Sequence, residues 1–430
     1  MINFIIVFFY LLYLFNTYFV TSICIEYFFI IVYIFKMNNF LNSDENSPKL
    51  IIGTLSGTSV DSIDIALIKI SGYGINTKLD VINYSQYPFS GEIKSFILKC
   101  SSPELSNVSD ICKLNFILGR LFADKINTFI RESGYSNSDI YCIGSHGQTI
   151  YHNPSDEKYF GYSEKSTLQI GDPSVIANLT DIVTVGDFRC ADVAVEGSGA
   201  PLVPYLDFIL FNTKDKNKML VNLGGIANIT YLKADCKIDE VIAFDTGPGN
   251  MIIDSLARKL FNKEFDYNGE IASSGKLSQE LFDYICSIDI YYKADIPKST
   301  GREYYGDDFV NRILTFSEGI KENDILNTIS EYTVFCIYSN YRQFIDSKGS
   351  PDEILLSGGG ASNNFFVNTF SKYFPESNIQ IINESGITSD NKEAVLFAVL
   401  ANETILGNYS NIKNATGAKK NVISGKICLV

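Results

Sequence analysis

Residues 50–70 read LIIGTLSGTSVDSIDIALIKI. Leu50, Ile51 and Ile52 run into a cluster of Gly53, Thr54, Ser56, Gly57, Thr58 and Ser59, and Ile63, Ile65 and Leu67 alternate on the way out. The pattern predicts strand, turn, strand. Glycines let the backbone come close to a bound group, and the Thr and Ser hydroxyls with the turn's N–H groups make a concave donor surface suited to phosphate. No Lys follows, so G-x-x-x-x-G-K-[ST] is not met and the helix-opening phosphate loop does not apply. On this stretch alone an ordinary polar hairpin reads the same way.

The pattern returns twice. Residues 219–232 (MLVNLGGIANITYL) predict a strand, a turn at Gly224 and Gly225, and a strand. Residues 353–366 (EILLSGGGASNNFF) predict a strand ending in Gly358, Gly359 and Gly360 and opening a helix whose N-terminal donors could meet a ligand. Three strand-end glycine turns imply two similar lobes around a nucleotide cleft.

With 430 residues the chain is long enough for two domains, each with its own core. A net charge of −14 argues against nucleic acid as a partner, because binding there depends on basic residues neutralising phosphates. The nine cysteines are scattered, odd in number and without a C-x-x-C pair, which favours a reduced, cytoplasmic protein. Residues 1–36 differ from everything after them, being almost only Ile, Phe, Tyr, Leu and Val. Such a stretch could span a bilayer and anchor the chain to a membrane. It has no basic n-region and no small-residue cleavage site, and a polar segment starts at Met37, so an upstream extension outside the folded enzyme, not necessarily translated, is the favoured expectation.

Residues 110–134 carry Ile111, Leu114, Leu118, Leu121, Phe122, Ile126 and Phe129 at helical spacing, with Gly134 as a stop, and predict a buried amphipathic helix. A short strand at 140–143 is expected to end in a turn holding His146 between Gly144 and Gly147. Only two histidines occur in the chain, His146 and His152, so His146 is either a structural hydrogen-bonding partner or a ligand contact. Asp187 and Arg189 lie two apart after the β-branched run Ile182, Val183, Val185, and would face one side where a strand meets a loop. Arg there offers a fork for carboxylate or phosphate; the alternative is a structural Arg–Asp pair. The charged run 212–218 (NTKDKNK) makes a lobe boundary, giving a first lobe over 48–214 and a second over 215–430, with room for the C-terminal helix to return to the first.

Within the second lobe an apolar strand (Val241 to Phe244) delivers Asp245 into a Thr-Gly-Pro-Gly turn, followed by helical periodicity over 251–260. Asp245 is then either a rigidly held catalytic carboxylate or a turn and cap residue. A charged loop follows at 298–303 (KSTGRE), residues 328–345 predict a long helix with Glu331 on its first turn, and residues 393–406 predict a closing helix.

The chain resembles the anhydro-N-acetylmuramic acid kinase family. The matching blocks are GTLSGTSVDSID (53–64), IGSHGQTIYH (143–152), LQIGDPSVIA (168–177), VGDFRCADVAVEGSGAPLVP (185–204), NLGGIAN (222–228), FDTGPGN (244–250), KSTGRE (298–303), LSGGGASN (356–363), ESGITSD (384–390) and TGA (416–418). Ten blocks in the family's order are far more specific than one glycine turn.

The resemblance implies an α/β, two-lobed, duplicated ribonuclease H-like fold of the actin, hexokinase and Hsp70 type, closing over ATP. By the same resemblance Gly57, Thr58, Ser59, Val60, Asp61, Ser62, Ile63 and Asp64, with Gly224 and Gly225, would hold the phosphates. Gly358, Gly359 and Gly360 would lie beside the adenosine, Asp245 would be the catalytic base, and His146, Asp187 and Arg189 would lie near the sugar. The implied reaction uses ATP and Mg²⁺ to open 1,6-anhydro-N-acetylmuramic acid with water and phosphorylate the freed 6-hydroxyl. A homodimer is compatible with it.

Two departures stand out. Where the family usually has Gly-Gly-Gln-Gly before APLVP, this chain has Glu196-Gly197-Ser198-Gly199. The acidic residue that many proteins of the wider fold carry in the first turn is replaced by Leu55, Ser56 and Gly57, which leaves Asp61, Asp64 and Glu331 as candidate magnesium ligands. The rival expectations are a kinase of another sugar on the same fold and a nucleotide-driven binding protein of the Hsp70 or actin kind.

Overall fold

A computed structural model describes residues 45–382 and 386–430, apart from the side chain of Arg302. The expected N-terminal extension over 1–36 lies outside these residues, as does part of the ESGITSD block. Among the described residues no helix is long and apolar enough to cross a membrane. Residues 48–430 form one compact unit.

The unit is organised by two sheets of the same plan. In the first, β1 (Lys49–Ser56), β2 (Ser62–Ser71) and β3 (Lys78–Pro88) form an antiparallel meander, and β4 (Ile140–Tyr159) and then β6 (Thr184–Gly186) add in parallel beside β1. β5 (Tyr162–Ile170) folds back antiparallel on β4, and β12 (Lys426–Cys428) closes the β6 edge. In the second, β7 (Lys218–Leu223), β8 (Ile226–Leu232) and β9 (Ile242–Pro248) repeat the meander, and β10 (Glu353–Ser357) and β11 (Asn378–Ile381) add in parallel beside β7. The orders 3-2-1-4-6 and 9-8-7-10-11 are one topology used twice, the duplicated ribonuclease H-like fold. The three glycine turns fall where the sequence puts them, between β1 and β2, between β7 and β8, and after β10.

Each sheet has its own core. Ile52, Ile63, Ile65 and Leu67 of the first sheet pack on α1 (Val108–Glu132), which buries Leu114, Leu118, Phe122, Ile126 and Phe129. The Asn107 side chain caps this helix by accepting from Asp110 N–H at 2.9 Å, and Gly134 leaves it at φ +80°. The second sheet buries Met219, Val221, Ile229 and Phe244 against α2 (Asn250–Phe261), α3 (Glu322–Phe344) and α4 (Asn364–Tyr373). Full burial of side chains of this size is worth about 1.5–3 kcal/mol each.

The last long helix, α5 (Lys392–Ile405), crosses back and lies on β1, β4 and β2 of the first sheet. Two glycines admit it. A Cβ at Gly53 would sit 1.8 Å from the Ala394 carbonyl oxygen, and one at Gly144 would sit 1.9 Å from that of Phe397. Gly53, grouped in the sequence with the phosphate turn, therefore serves helix packing.

Three local expectations are corrected. The strand at 140–143 does not end in a turn: β4 runs on to Tyr159, held by β1 through Ser56 opposite Gln148 and by β5 through Gln148 opposite Ile170, so His146 is a buried strand residue. α3 starts at Glu322, because Ile325 and Leu326, ahead of Thr328, already bury against the core, and Glu331 is in its middle rather than its first turn. β9 continues to Pro248, with Asp245 paired opposite Asn228, so this Asp is inside a strand rather than in the turn behind one.

Candidate active site

A cavity of about 970 Å³ opens between the two sheets. One wall is the β1–β2 turn, with Gly57, Thr58, Ser59, Asp61, Ser62 and Asp64; the other includes Asn222 and Asn228 of β7 and β8, Phe244 of β9, and Gly358 after β10. The turn is tied to its own lobe. Ser56 Oγ donates to Gln148 Oε1 at 2.6 Å, Gln148 Nε2 donates to the Gly57 carbonyl at 3.3 Å, and Val60 N–H closes the turn on the same carbonyl at 3.1 Å. Val60 adopts φ +54°, and the side chains of Val60 and Ile63 pack into the core, so of the eight residues 57–64 these two face away from the cavity.

Two of the candidate metal ligands are on the wall. The Asp61 carboxylate pairs with Lys94, which holds its pKa below the usual carboxylate range. Asp64 accepts from Ser62 Oγ at 2.7 Å, yet its partial burial raises its pKa. Glu331 is not on this wall; it meets the Tyr373 phenol of α4 instead.

His146 and Arg189 meet in the floor of the cavity. Arg189 Nε donates to His146 Nε2 at 2.9 Å, which leaves the proton on Nδ1 to donate to the Gly147 carbonyl at 3.2 Å. His146 stacks on Phe397 of α5 with ring centroids 4.6 Å apart, and its burial, reinforced by the Arg189 charge, pushes its pKa well below the ordinary imidazole value. It is neutral near pH 7. Arg189 Nη1 also donates to the Gly199 carbonyl at 2.8 Å, so the Glu196 to Gly199 segment that departs from the family pattern is fixed to the same guanidinium. Burial lowers Arg189 to about 10, while Glu393 favours its charged form.

Asp187 neither lines this cavity nor meets Arg189, which corrects the expectation that the two face the same side; it lines, together with His146, a neighbouring cavity of about 490 Å³. That expectation assumes an extended backbone, but Asp187 has φ +57° and Arg189 is helical at φ −90°, so the two side chains diverge. Asp187 Oδ2 instead takes Lys426 Nζ of β12 at 2.7 Å, and neither is a structural Arg–Asp pair formed. The sequence reading missed Glu393 and Lys392 at the start of α5, both on the cavity wall. Glu393 is exposed to cleft solvent but enclosed by protein, and desolvation raises its pKa against the pull of Arg189. Its only signal was its place at the head of the closing helix.

Asp245 stands just behind the second-lobe wall, next to Phe244. Its Oδ2 accepts from Ser299 Oγ at 2.9 Å and Thr300 N–H at 3.0 Å, and desolvation raises its pKa to about 6 despite these donors. Gly224 and Gly225 turn their carbonyls to the start of α2, accepting from Asn250 N–H at 2.8 Å and Met251 N–H at 3.1 Å. Gly358 adopts φ +82°, and a Cβ there would be 2.7 Å from Asn222 Oδ1. Gly359 and Gly360 line a second cavity of about 500 Å³, with Asp254, Phe265, Tyr267 and Asn363 on its sides.

A family model described as anhydro-N-acetylmuramic acid kinase matches residues 49–429. Among curated proteins, the anhydro-N-acetylmuramic acid kinase of Caldanaerobacter subterraneus subsp. tengcongensis is 41% identical over 91% of this chain and 100% of its own. That of Bacillus thuringiensis subsp. konkukian is 44% identical over 88% of this chain and 98% of its own. Among solved structures, the activator of the 2-hydroxyisocaproyl-CoA dehydratase from Clostridium difficile with bound ADPNP aligns at a TM-score of 0.40 and 12% identity, covering 83% of this chain and 95% of that one. The ROK hexokinase from Thermus thermophilus aligns at a TM-score of 0.34 and 10% identity over 81% and 97%. At these scores the two likenesses carry no weight for function.

Proposed function

The chain belongs to the anhydro-N-acetylmuramic acid kinase family, and from that premise we propose how its cleft performs the family's reaction. The enzyme uses ATP to convert 1,6-anhydro-N-acetylmuramic acid to N-acetylmuramic acid 6-phosphate. Water adds to C1, the bond from C1 to the bridging oxygen breaks, and that oxygen, now O6, bonds to the γ-phosphorus as ADP leaves.

Asp245 is assigned as the base that takes the proton from the water. A base works best when its pKa lies just below the working pH, and burial places this carboxyl at about 6. The observation that carries the reading is the pairing of walls across one cavity: the phosphate-suited turn of the first sheet faces the Asn222, Asn228 and Gly358 edge of the second, with Asp245 behind it. Residues 57–64 would receive the phosphates through backbone N–H groups and the Thr58, Ser59 and Ser62 hydroxyls. The adenine would enter the smaller cavity, where Phe265 and Tyr267 offer rings and Gly359 and Gly360 let the backbone approach. His146, Arg189 and Glu393 make the floor for the sugar.

Carboxylate oxygens on the phosphate turn suit Mg²⁺, which is bound by one or two carboxylates together with substrate phosphates. Asp61 and Asp64 would hold it, and Glu331 is turned away from that wall. A cation held there would neutralise charge on the transferring phosphoryl group. Asp245 is set beside Phe244, behind the cavity wall, and closure of the second lobe on the first would bring it towards the sugar.

The test is incubation with ATP, Mg²⁺ and a panel of anhydro and reducing amino sugars, with products identified by mass. A phosphorylated product that has gained one water from the anhydro sugar alone is expected. Phosphorylation of reducing sugars with no turnover of the anhydro compound would overturn the substrate assignment.

A further inference from the structure

The segment that carries Ser299 and Thr300 holds Asp245 by more than its side chain. Asp245 N–H donates to the Lys298 carbonyl at 3.3 Å, and the Tyr291 hydroxyl donates to the Asp245 carbonyl at 3.3 Å. The segment is itself braced. Lys298 Nζ donates to the Tyr291 and Tyr292 carbonyls at 3.3 and 3.0 Å and lies over the rings of Phe244, Tyr291 and Phe344. Upstream, the buried Asp289 carboxylate accepts from Tyr291 N–H at 2.9 Å and from the hydroxyls of Tyr305 and Tyr332, both at 2.8 Å. A rigid path therefore runs from the second-lobe core to the carboxylate.

Both donors to the Asp245 side chain, one hydroxyl and one backbone N–H, converge on one oxygen, Oδ2. Two donors on one oxygen fix the rotation of a carboxylate about its χ2, and so fix where the other oxygen stands. The two donors differ in kind. Thr300 acts through its N–H, which any residue except proline supplies, whereas Ser299 acts through its side chain, so the identity of residue 299 is what the sequence has to specify.

We propose that Ser299 is a positioning residue for the kinase reaction, holding Oδ2 of Asp245 through its hydroxyl so that Oδ1 is the oxygen presented to the attacking water. The inference rests on the assignment of Asp245 as the base. The same hydrogen bond stabilises the ionised carboxylate, and the other groups that face Asp245 act beside it: Glu303 from the following helix disfavours the charge, Lys298 favours it, and burial holds the Tyr291 phenol far above its usual range and hence neutral. Losing the Ser299 donor therefore raises the pH at which the base ionises.

The experiment is the pH profile of kcat/KM for 1,6-anhydro-N-acetylmuramic acid with ATP and Mg²⁺, measured on the full chain for the wild type, Ser299→Ala, Ser299→Thr and Asp245→Asn. Because the bond is solvent-exposed, Ser299→Ala should move the acid limb up by about half to one pH unit and lower plateau turnover about threefold to tenfold. Ser299→Thr, which keeps the hydroxyl, should restore the limb, and thermal midpoints should stay together. An acid limb unmoved in Ser299→Ala, whether turnover holds or falls, overturns the inference while leaving Asp245 in place if Asp245→Asn is inactive. Retained turnover in Asp245→Asn would instead remove the base assignment on which the inference stands.

Discussion

The carboxylate of Asp207 meets Lys392 Nζ at 2.5 Å, and its other oxygen accepts from Thr230 Oγ1 at 2.8 Å. Asp207 is on the helix Val203–Phe211, Lys392 begins the helix packed on the first sheet, and Thr230 is in β8 of the second, so one carboxylate joins elements of both lobes. Both charged side chains are buried, at 3% and 8% exposure. Removing one partner strands the other charge: Asp207→Ala should destabilise the protein by about 3–5 kcal/mol, read by urea unfolding. Replacing both with apolar residues of similar volume should recover most of that loss, and failure to recover would mean that the pair does more than compensate itself.

Asp245→Asn keeps the shape of the side chain and an acceptor for Ser299 and Thr300 but cannot take a proton. Turnover of the anhydro sugar should fall by about 10² to 10⁴, while ATP binding, followed by calorimetry, stays close to wild type. A variant that binds nucleotide normally and retains more than about a tenth of wild-type turnover takes Asp245 out of the mechanism.

The same substitution has an opposite effect on stability. Asp245 titrates at about 6 in the fold, above the ordinary carboxyl value of 3.8. Well below pH 3.8 the group is protonated in folded and unfolded chains alike, and folding bears no ionisation penalty. As pH rises to 6 the unfolded chain releases its proton first, so the wild type loses stability that Asp245→Asn does not. Denaturant midpoints measured from pH 4 to 7 should diverge in favour of the variant by on the order of 1–3 kcal/mol. A constant difference across that range would show that burial does not raise this group.

Gly53→Ala places a methyl against the Ala394 carbonyl, where the closing helix leaves no room. Overpacking of this kind costs about 1–3 kcal/mol, and here the obstacle is backbone on both sides. A large fall in thermal midpoint is expected. Gly134→Ala, where a Cβ meets nothing within 4 Å and only the φ of +80° is strained, should cost less.

ATP and the anhydro sugar should draw the lobes together, since the phosphate-suited turn and the Asn222, Asn228 and Gly358 edge face each other across one cavity. Small-angle scattering should show a smaller radius of gyration with both ligands bound than with neither. An unchanged profile at saturation would leave the base without a route to its substrate.

The sequence by itself determined the three glycine turns, the helix Val108–Glu132 and the closing helix, because each depends on residues close in the chain: apolar periods of two or 3.6, caps, and positions open only to glycine. It also determined the family, through blocks whose order survives without coordinates. What only the tertiary structure decided lies between residues far apart in sequence. The closing helix returns to Gly53 and Gly144, Lys426 draws Asp187 away from Arg189, Glu393 enters the cleft, Glu331 turns from it, and the Ser299–Thr300 segment grips Asp245. A local pattern fixes which way a strand or helix faces its nearest neighbours, but the partner of a charged side chain is fixed by which distant segment the packed cores bring within about 3 Å, and no spacing along the chain records that distance.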